Sequence, residues 1–191
     1  MMTIKNYIVP SMVLLSIGLV SFYQFEGISA PIACLFGSAL FAIALIDAKH
    51  MIIPDLLSLP LIPLGLCATY LMTSGSDPNL VLVEHIMALL LAGAGFYLIR
   101  TLYKKMRGVE GLGLGDVKLI MVAGAWTGTL GVSYVVLLAC IAAISFVTSV
   151  QIAAGSKLNA QSAIPFGTFL APAIWLVWML LQMSGNLNIL F

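Results

Sequence analysis

Long apolar runs separated by short polar connections dominate this chain and leave it few folds to choose from. A helix needs about 20 apolar residues to cross the hydrocarbon core of a bilayer, and inside that core only helices and closed barrels satisfy their own backbone. Stretches of this kind fall at about 7–25, 30–47, 56–73, 80–101, 116–130, 132–154 and 163–183. Of the 191 residues, 62% are hydrophobic and 8% charged, against about 25% charged in a soluble domain. The pattern predicts an all-α, polytopic membrane helical bundle of six to seven transmembrane helices, with residues 1–191 forming a single integral-membrane domain. The fifth stretch is short and carries Gly124, Gly128 and Gly131, so a tilt, a break or a merger with the sixth is open there. The first follows Lys5, as a signal peptide would. Its apolar core, however, runs to Phe25, and Glu26-Gly27-Ile28-Ser29-Ala30-Pro31 is a poor cleavage site ahead of another span, so it reads as an anchor.

Orientation follows from lysine and arginine, which accumulate in cytoplasmic loops. With the N-terminus inside, the inner segments hold Lys5, Lys49, Arg100, Lys104, Lys105, Arg107 and Lys157, and Lys118 lies at the inner end of the fifth span. The outer loops near Glu26, Asp77 and Ser133 hold none. The tail, Ser184–Phe191, is then expected outside. Arg100, Lys104, Lys105 and Arg107 read as topology determinants and contacts to anionic membrane lipid. A net charge of +1 gives no case for nucleic-acid binding. Cys34, Cys67 and Cys140 are isolated in apolar runs without a Cys-x-x-Cys pair, so they read as small buried hydrophobes and no metal or cofactor is expected.

Two aspartates interrupt this apolar background. Asp47 closes the run Ala30–Ile46 and opens Asp47-Ala48-Lys49-His50-Met51-Ile52-Ile53-Pro54-Asp55. Asp116 stands in Gly111-Leu112-Gly113-Leu114-Gly115-Asp116-Val117-Lys118-Leu119. An ionisable group in or at the edge of hydrocarbon costs several kcal/mol and marks a functional site or a paired charge. The topology sets both on the cytoplasmic side at equal depth. Two carboxyls brought together can share a proton and activate a water, the chemistry of aspartic proteolysis. Alone, Asp116 has a plainer reading as an N-cap at a positive helix end, and the neighbouring Asp55, after Pro54, reads as the N-cap of the third span. Gly113 and Gly115 read as a flexible approach for another helix or a peptide. A phosphate loop is excluded, since no Lys-Ser or Lys-Thr follows the glycines. Lys118 reads either as a tuner of Asp116 or as a headgroup contact.

These residues carry a family resemblance. Gly113-Leu114-Gly115-Asp116-Val117-Lys118-Leu119 is similar to the Gly-x-Gly-Asp-x-Lys-Leu motif of type IV prepilin peptidases, membrane aspartic proteases of the GxGD group. Gly124-Ala125-Trp126 with Gly128 resembles that family's Gly-Ala-Trp-x-Gly segment, and Leu45-Ile46-Asp47 with Ile53-Pro54-Asp55 its Ile-Asp and Leu-Pro-Asp signature. Ile164-Pro165-Phe166-Gly167-Thr168-Phe169-Leu170-Ala171 resembles a late Pro-Phe-Gly-Pro-Phe-Leu-Ala motif. The resemblance runs in order from about residue 30 to about 175. It implies Asp47 and Asp116 as the catalytic pair, with Gly113, Gly115, Lys118, Pro54 and Asp55 in support. It also implies a prepilin or pseudopilin substrate cut after a glycine, pilus or secretion assembly components as partners, and residence in a bacterial inner membrane. Many members also N-methylate the new terminus, using a cytoplasmic loop with Cys-x-x-Cys pairs. Here the first two spans are joined by a few residues, which implies peptidase without methyl transfer. The rival reading is a small transporter using the aspartates as a proton or cation relay. It would need polar groups in mid-span, and the ionisable candidates, Glu84 and His85, read as interfacial residues at the outer end of the fourth span.

Overall fold

The computed structural model describes residues 5–25, 29–73, 76–154 and 165–187. Lys157, Ile164 of the late motif, Glu26 and the last residues of the tail lie outside them. Six helices follow one another: α1 (Lys5–Gln24), α2 (Ser29–His50), α3 (Asp55–Met72), α4 (Pro78–Arg107), α5 (Leu114–Ala154) and α6 (Gly167–Leu187). No strand occurs among the described residues. The helices α2 to α5 are each long and apolar enough to cross a membrane, while the apolar parts of α1 and α6, Pro10–Gln24 and Gly167–Met183, are shorter. Large apolar side chains face outward along the bundle, among them Leu15, Phe22, Leu56, Leu80 and Ile152, as expected where the surrounding solvent is lipid.

The 41 residues of α5 would span about 60 Å if straight, at 1.5 Å per residue, roughly twice the hydrocarbon thickness. The helix breaks at Gly128, whose φ of 66° and ψ of −172° are non-helical. Beyond the break the chain returns. Phe146 packs against Phe169 with ring centroids 5.5 Å apart, and Val136 and Cys140 share a cavity with Asp116. The fifth and sixth stretches of the sequence are therefore the two arms of one broken helix, and seven apolar stretches appear as six helices.

Breaking a helix in an apolar bundle strands backbone donors and acceptors, and α4 supplies the partners. The Thr129 N–H donates to Glu84 Oε1 at 2.6 Å, so Glu84 caps the returning arm from a neighbouring helix. On the other side of the break, the Ala125 carbonyl accepts from the Thr69 hydroxyl at 3.3 Å and lies 3.0 Å from His85 Nδ1. His85 Nε2 in turn sits 3.5 Å from Glu84 Oε2. Glu84 and His85, read from sequence as interfacial residues, are thus the fasteners of the break. A side chain at position 128 would be strained by the positive φ, and its Cβ, within 2.6 Å of Glu84 Oε2, would push the capping carboxylate aside.

Helices in lipid associate through close packing and small residues, since tails are as apolar as the side chains. Gly124 lies against the Leu89 backbone, with a built Cβ 2.5 Å from its Cα, and this is where α4 and α5 meet. Gly65 makes room for the Trp126 ring, whose indole N–H donates to the Leu61 carbonyl at 2.7 Å. Trp126 stacks on Phe36 at 3.6 Å, nearly parallel, and Trp178 meets both edge-on at 5.5 Å. This aromatic knot ties α2, α5 and α6 together and gives Gly124-Ala125-Trp126 a structural reason.

Glu84→Ala leaves the Thr129 N–H without its cap and is expected to destabilise the protein by about 1–2 kcal/mol, read as a lowered Tm in detergent. Glu84→Gln, whose amide oxygen still accepts, should lose less. Equal losses from the two variants would show that the cap is not the source of the effect.

Candidate active site

The last turn of α2 carries Asp47, which is 4% exposed. The helix stops at His50 because Met51 adopts φ 53° and donates its N–H to the Asp47 carbonyl at 2.8 Å. A left-handed non-glycine residue costs about 1–2 kcal/mol, and here it turns the chain back toward α3. Ile53 then drops into a slot between two glycines. A Cβ at Gly115 would come within 2.8 Å of Ile53 Cβ, and one at Gly167 within 2.7 Å of Ile53 Cδ1 and 2.9 Å of Asp47 Oδ2. Gly115, expected to let the backbone come close to another helix or a peptide, is a point of close contact with Ile53.

Asp116 stands in the first turn of α5, and Gly113 precedes that helix. The Gly113 N–H donates to Asp116 Oδ2 at 3.2 Å. This is the reach of an N3 carboxylate back to the N-cap amide, so Asp116 is not itself the N-cap that its plainer reading suggested. Asp47 and Asp116 line one cavity of about 1300 Å³, together with Phe96 and Tyr103 of α4, Val136 and Cys140 of the returning arm, and Phe166. The volume exceeds the roughly 300–1,000 Å³ of small-ligand sites and suits a stretch of peptide.

Asp55 departs from its expected role. The N-cap of α3 is Pro54, without a side-chain cap bond, and the Asp55 carboxylate accepts from Lys118 Nζ at 2.6 Å. Lys118 is therefore engaged with α3, in neither of the roles read for it, and the pair links the starts of α3 and α5. Arg100 and Lys104 are also more than lipid contacts. Arg100 Nε donates to the Leu112 carbonyl at 3.1 Å, and Glu110 lies 3.0 Å from Arg100 and 2.7 Å from Lys104. These bonds staple residues 108–113 along the rim of the cavity. The Lys104 hydrogen bond first, then the Arg100 charge, hold the Glu110 carboxyl below its ordinary range. The two ion pairs to Glu110 are therefore present at neutral pH and lost as acid protonates it, while the Arg100–Leu112 bond does not involve that carboxyl.

Sequence reading gave Thr168 no role within the late motif. In the structure its backbone N–H donates to Asp47 Oδ2 at 2.7 Å and its hydroxyl lies 3.1 Å from the same oxygen. The signal in the sequence was its place directly after Phe166-Gly167, at the start of a helix. Glu84 and His85 sit on α4 at least 11 residues before Phe96, the nearest cavity residue of that helix, about 16 Å along the axis. Both are occupied at the Gly128 break, which leaves them outside the aspartate cavity.

The sequence model of the type IV leader peptidase family matches residues 34–148, a span that holds both aspartates and the break in α5. Proteins named prepilin leader peptidase/N-methyltransferase are similar to the chain. That of Dichelobacter nodosus is 30% identical over 169 residues, covering 88% of this chain and 55% of the relative. That of Xanthomonas campestris pv. campestris is 35% identical over 159 residues, 82% and 51%, and that of Pseudomonas aeruginosa 35% over 141 residues, 73% and 46%. The chain thus spans about half the length of the curated relatives it matches. No solved structure matches it. With more than half of its residues matched, and with the two motif aspartates meeting in one cavity, the chain belongs to the type IV leader peptidase family.

Proposed function

We propose that this chain is an intramembrane aspartic endopeptidase that removes the short basic leader from type IV prepilins or pseudopilins at the cytoplasmic face of a bacterial inner membrane. The observation that carries this reading is the convergence of Asp47 and Asp116 on one peptide-sized cavity in a bundle otherwise almost free of charge. Such a precursor has a polar leader in the cytoplasm and an apolar helix in the membrane, so its junction lies at the interface, level with the pair.

In the reaction, one ionised carboxyl accepts a proton from a water as the water oxygen attacks the scissile carbonyl. The protonated partner donates to the carbonyl oxygen, giving a neutral tetrahedral intermediate. Collapse breaks the C–N bond as one hydroxyl of the intermediate gives its proton to the ionised carboxyl and the leaving nitrogen takes one from its partner, so an acid and an amine result and the pair again holds one proton. The proton belongs to the coupled pair throughout. A glycine before the scissile bond is what the family resemblance implies, and it could approach closely along the Gly113 backbone, which lines the cavity. A hydrophobic residue after it suits the wall of Phe96, Tyr103 and Phe166. By the same reading the methyl transfer of longer relatives is absent from these 191 residues, whose connections on the aspartate side, 51–54, 108–113 and 155–166, are each too short to fold a further domain.

Asp47→Asn and Asp116→Asn should each abolish leader cleavage while the protein still accumulates in the membrane, since Asn keeps the volume but cannot exchange a proton with water. The check is the N-terminus of a co-expressed prepilin, read by mass spectrometry. Full processing by either variant removes that residue from the pair. Incubated with S-adenosylmethionine and mature pilin, the chain alone should give no N-methylated product, and a mass gain of one methyl group would contradict this.

Sidedness has its own test. In a background with Cys34, Cys67 and Cys140 changed to Ser, Lys49→Cys and Met106→Cys should react with a membrane-impermeant thiol reagent only after lysis. Ser76→Cys should react in intact cells. Position 76 is used because Asp77 accepts the Asn79 N–H at 2.9 Å and caps α4. Labelling at 49 from outside would separate the aspartates from a cytoplasmic leader.

A further inference from the structure

Asp47 is buried at the carboxyl-terminal end of α2, where exposed carbonyls make a second negative charge unwelcome. Something must offset that, and the structure supplies it from the start of α6. The Phe169 and Leu170 amides both bond to the Phe166 carbonyl, at 3.0 Å each, so α6 opens at Phe166 and the Thr168 amide is one of its unpaired first-turn donors. That amide is the one aimed at Asp47 Oδ2, at 2.7 Å. The Thr168 hydroxyl points to the same oxygen at 3.1 Å, closer than its alternative acceptor, the Ala44 carbonyl at 3.5 Å. Gly167 permits the approach, because a Cβ there would stand 2.9 Å from Oδ2. Both donors converge on one oxygen, and among the described residues Oδ1 accepts no hydrogen bond.

We infer that Thr168 is a positioning residue for Asp47: its amide and hydroxyl together hold Oδ2 and leave Oδ1 as the oxygen presented to water and substrate. The inference rests on the peptidase reading above. Among the described residues Asp116 accepts a single longer bond, at 3.2 Å, from its own helix start. The two carboxyls are therefore held unequally, Asp47 by two donors from another helix and Asp116 by one from the start of its own. A clamp of this kind acts on the orientation of the reacting oxygen more than on substrate affinity. Its loss should lower kcat and leave KM nearly unchanged.

The hydroxyl can be removed by itself, since Thr168→Val keeps the branched shape and the amide. Proline, which the family's late motif carries at this place, offers neither donor, so the clamp is a feature of this chain and is tested through the hydroxyl. Thr168→Ser keeps both donors. Cleavage of a synthetic precursor peptide with a basic leader, a glycine at the junction and an apolar segment would be followed in detergent. Rates would be referred to the folded fraction measured by thermal denaturation. The expected result is about a tenfold fall in kcat for Thr168→Val, the scale of one hydrogen bond to a charged group. KM should stay within about twofold and Thr168→Ser should return to near the wild-type rate. If wild type cleaves, Asp47→Asn is dead and Thr168→Val keeps the wild-type kcat, the clamp is overturned while the peptidase reading stands. If wild type does not cleave, or Asp47→Asn does, the peptidase reading falls and takes this inference with it.

Discussion

A carboxyl group buried among hydrocarbon side chains must find hydrogen-bond donors or the fold will not tolerate it. Asp47 finds its donors in the first turn of α6, the last helix of the chain. That contact sets the arrangement around it. It brings the ends of α2 and α6 together, requires a glycine at 167, and leaves a slot that Ile53 fills against Gly115. Gly115 precedes Asp116, so the packing that satisfies the first carboxyl also sets the backbone that carries the second.

The rest of the bundle brings the two carboxyls to one depth. The break at Gly128 lets α5 fold back, so that a single helix supplies both Asp116 and, from its returning arm, the cavity wall at Val136 and Cys140. Glu84 and His85 make the break tolerable in an apolar setting by meeting the donors and acceptors it exposes. Trp126, just before the break, locks the first arm to α2 and α3 through Phe36 and the Leu61 carbonyl. The Asp55–Lys118 pair adds a polar link between the starts of α3 and α5. Side-chain exposure is 31% for Lys118 and 57% for Asp55, and partly exposed pairs contribute about 0–1 kcal/mol, so it directs more than it stabilises.

Much of this was legible in the sequence. Apolar run lengths gave the helical bundle, and the scarcity of charge made Asp47 and Asp116 conspicuous before any geometry was known. What stayed hidden depends on contacts between distant segments. Asp55 looks like a helix cap because of Pro54, and only the proximity of Lys118 explains why its carboxylate goes elsewhere. Glu84 looks like an interfacial residue until the Gly128 break supplies an unpaired amide. Thr168 carries no charge and no repeating pattern, and its importance comes from a backbone N–H, which every residue but proline has. Gly115 reads as a place of close approach, whereas the side chain that approaches it, Ile53, shows only in the fold.

The central claim is that Asp47 and Asp116 act as one unit on one water. Residual cleavage rates of Asp47→Asn, Asp116→Asn and the double variant, measured over long incubations with the same precursor, test it most directly. Groups that act as a unit lose their effect together, so removing the second after the first costs little. The account predicts that the double variant is no slower than the slower single variant. Losses that multiply would show two carboxyls working independently and would contradict it.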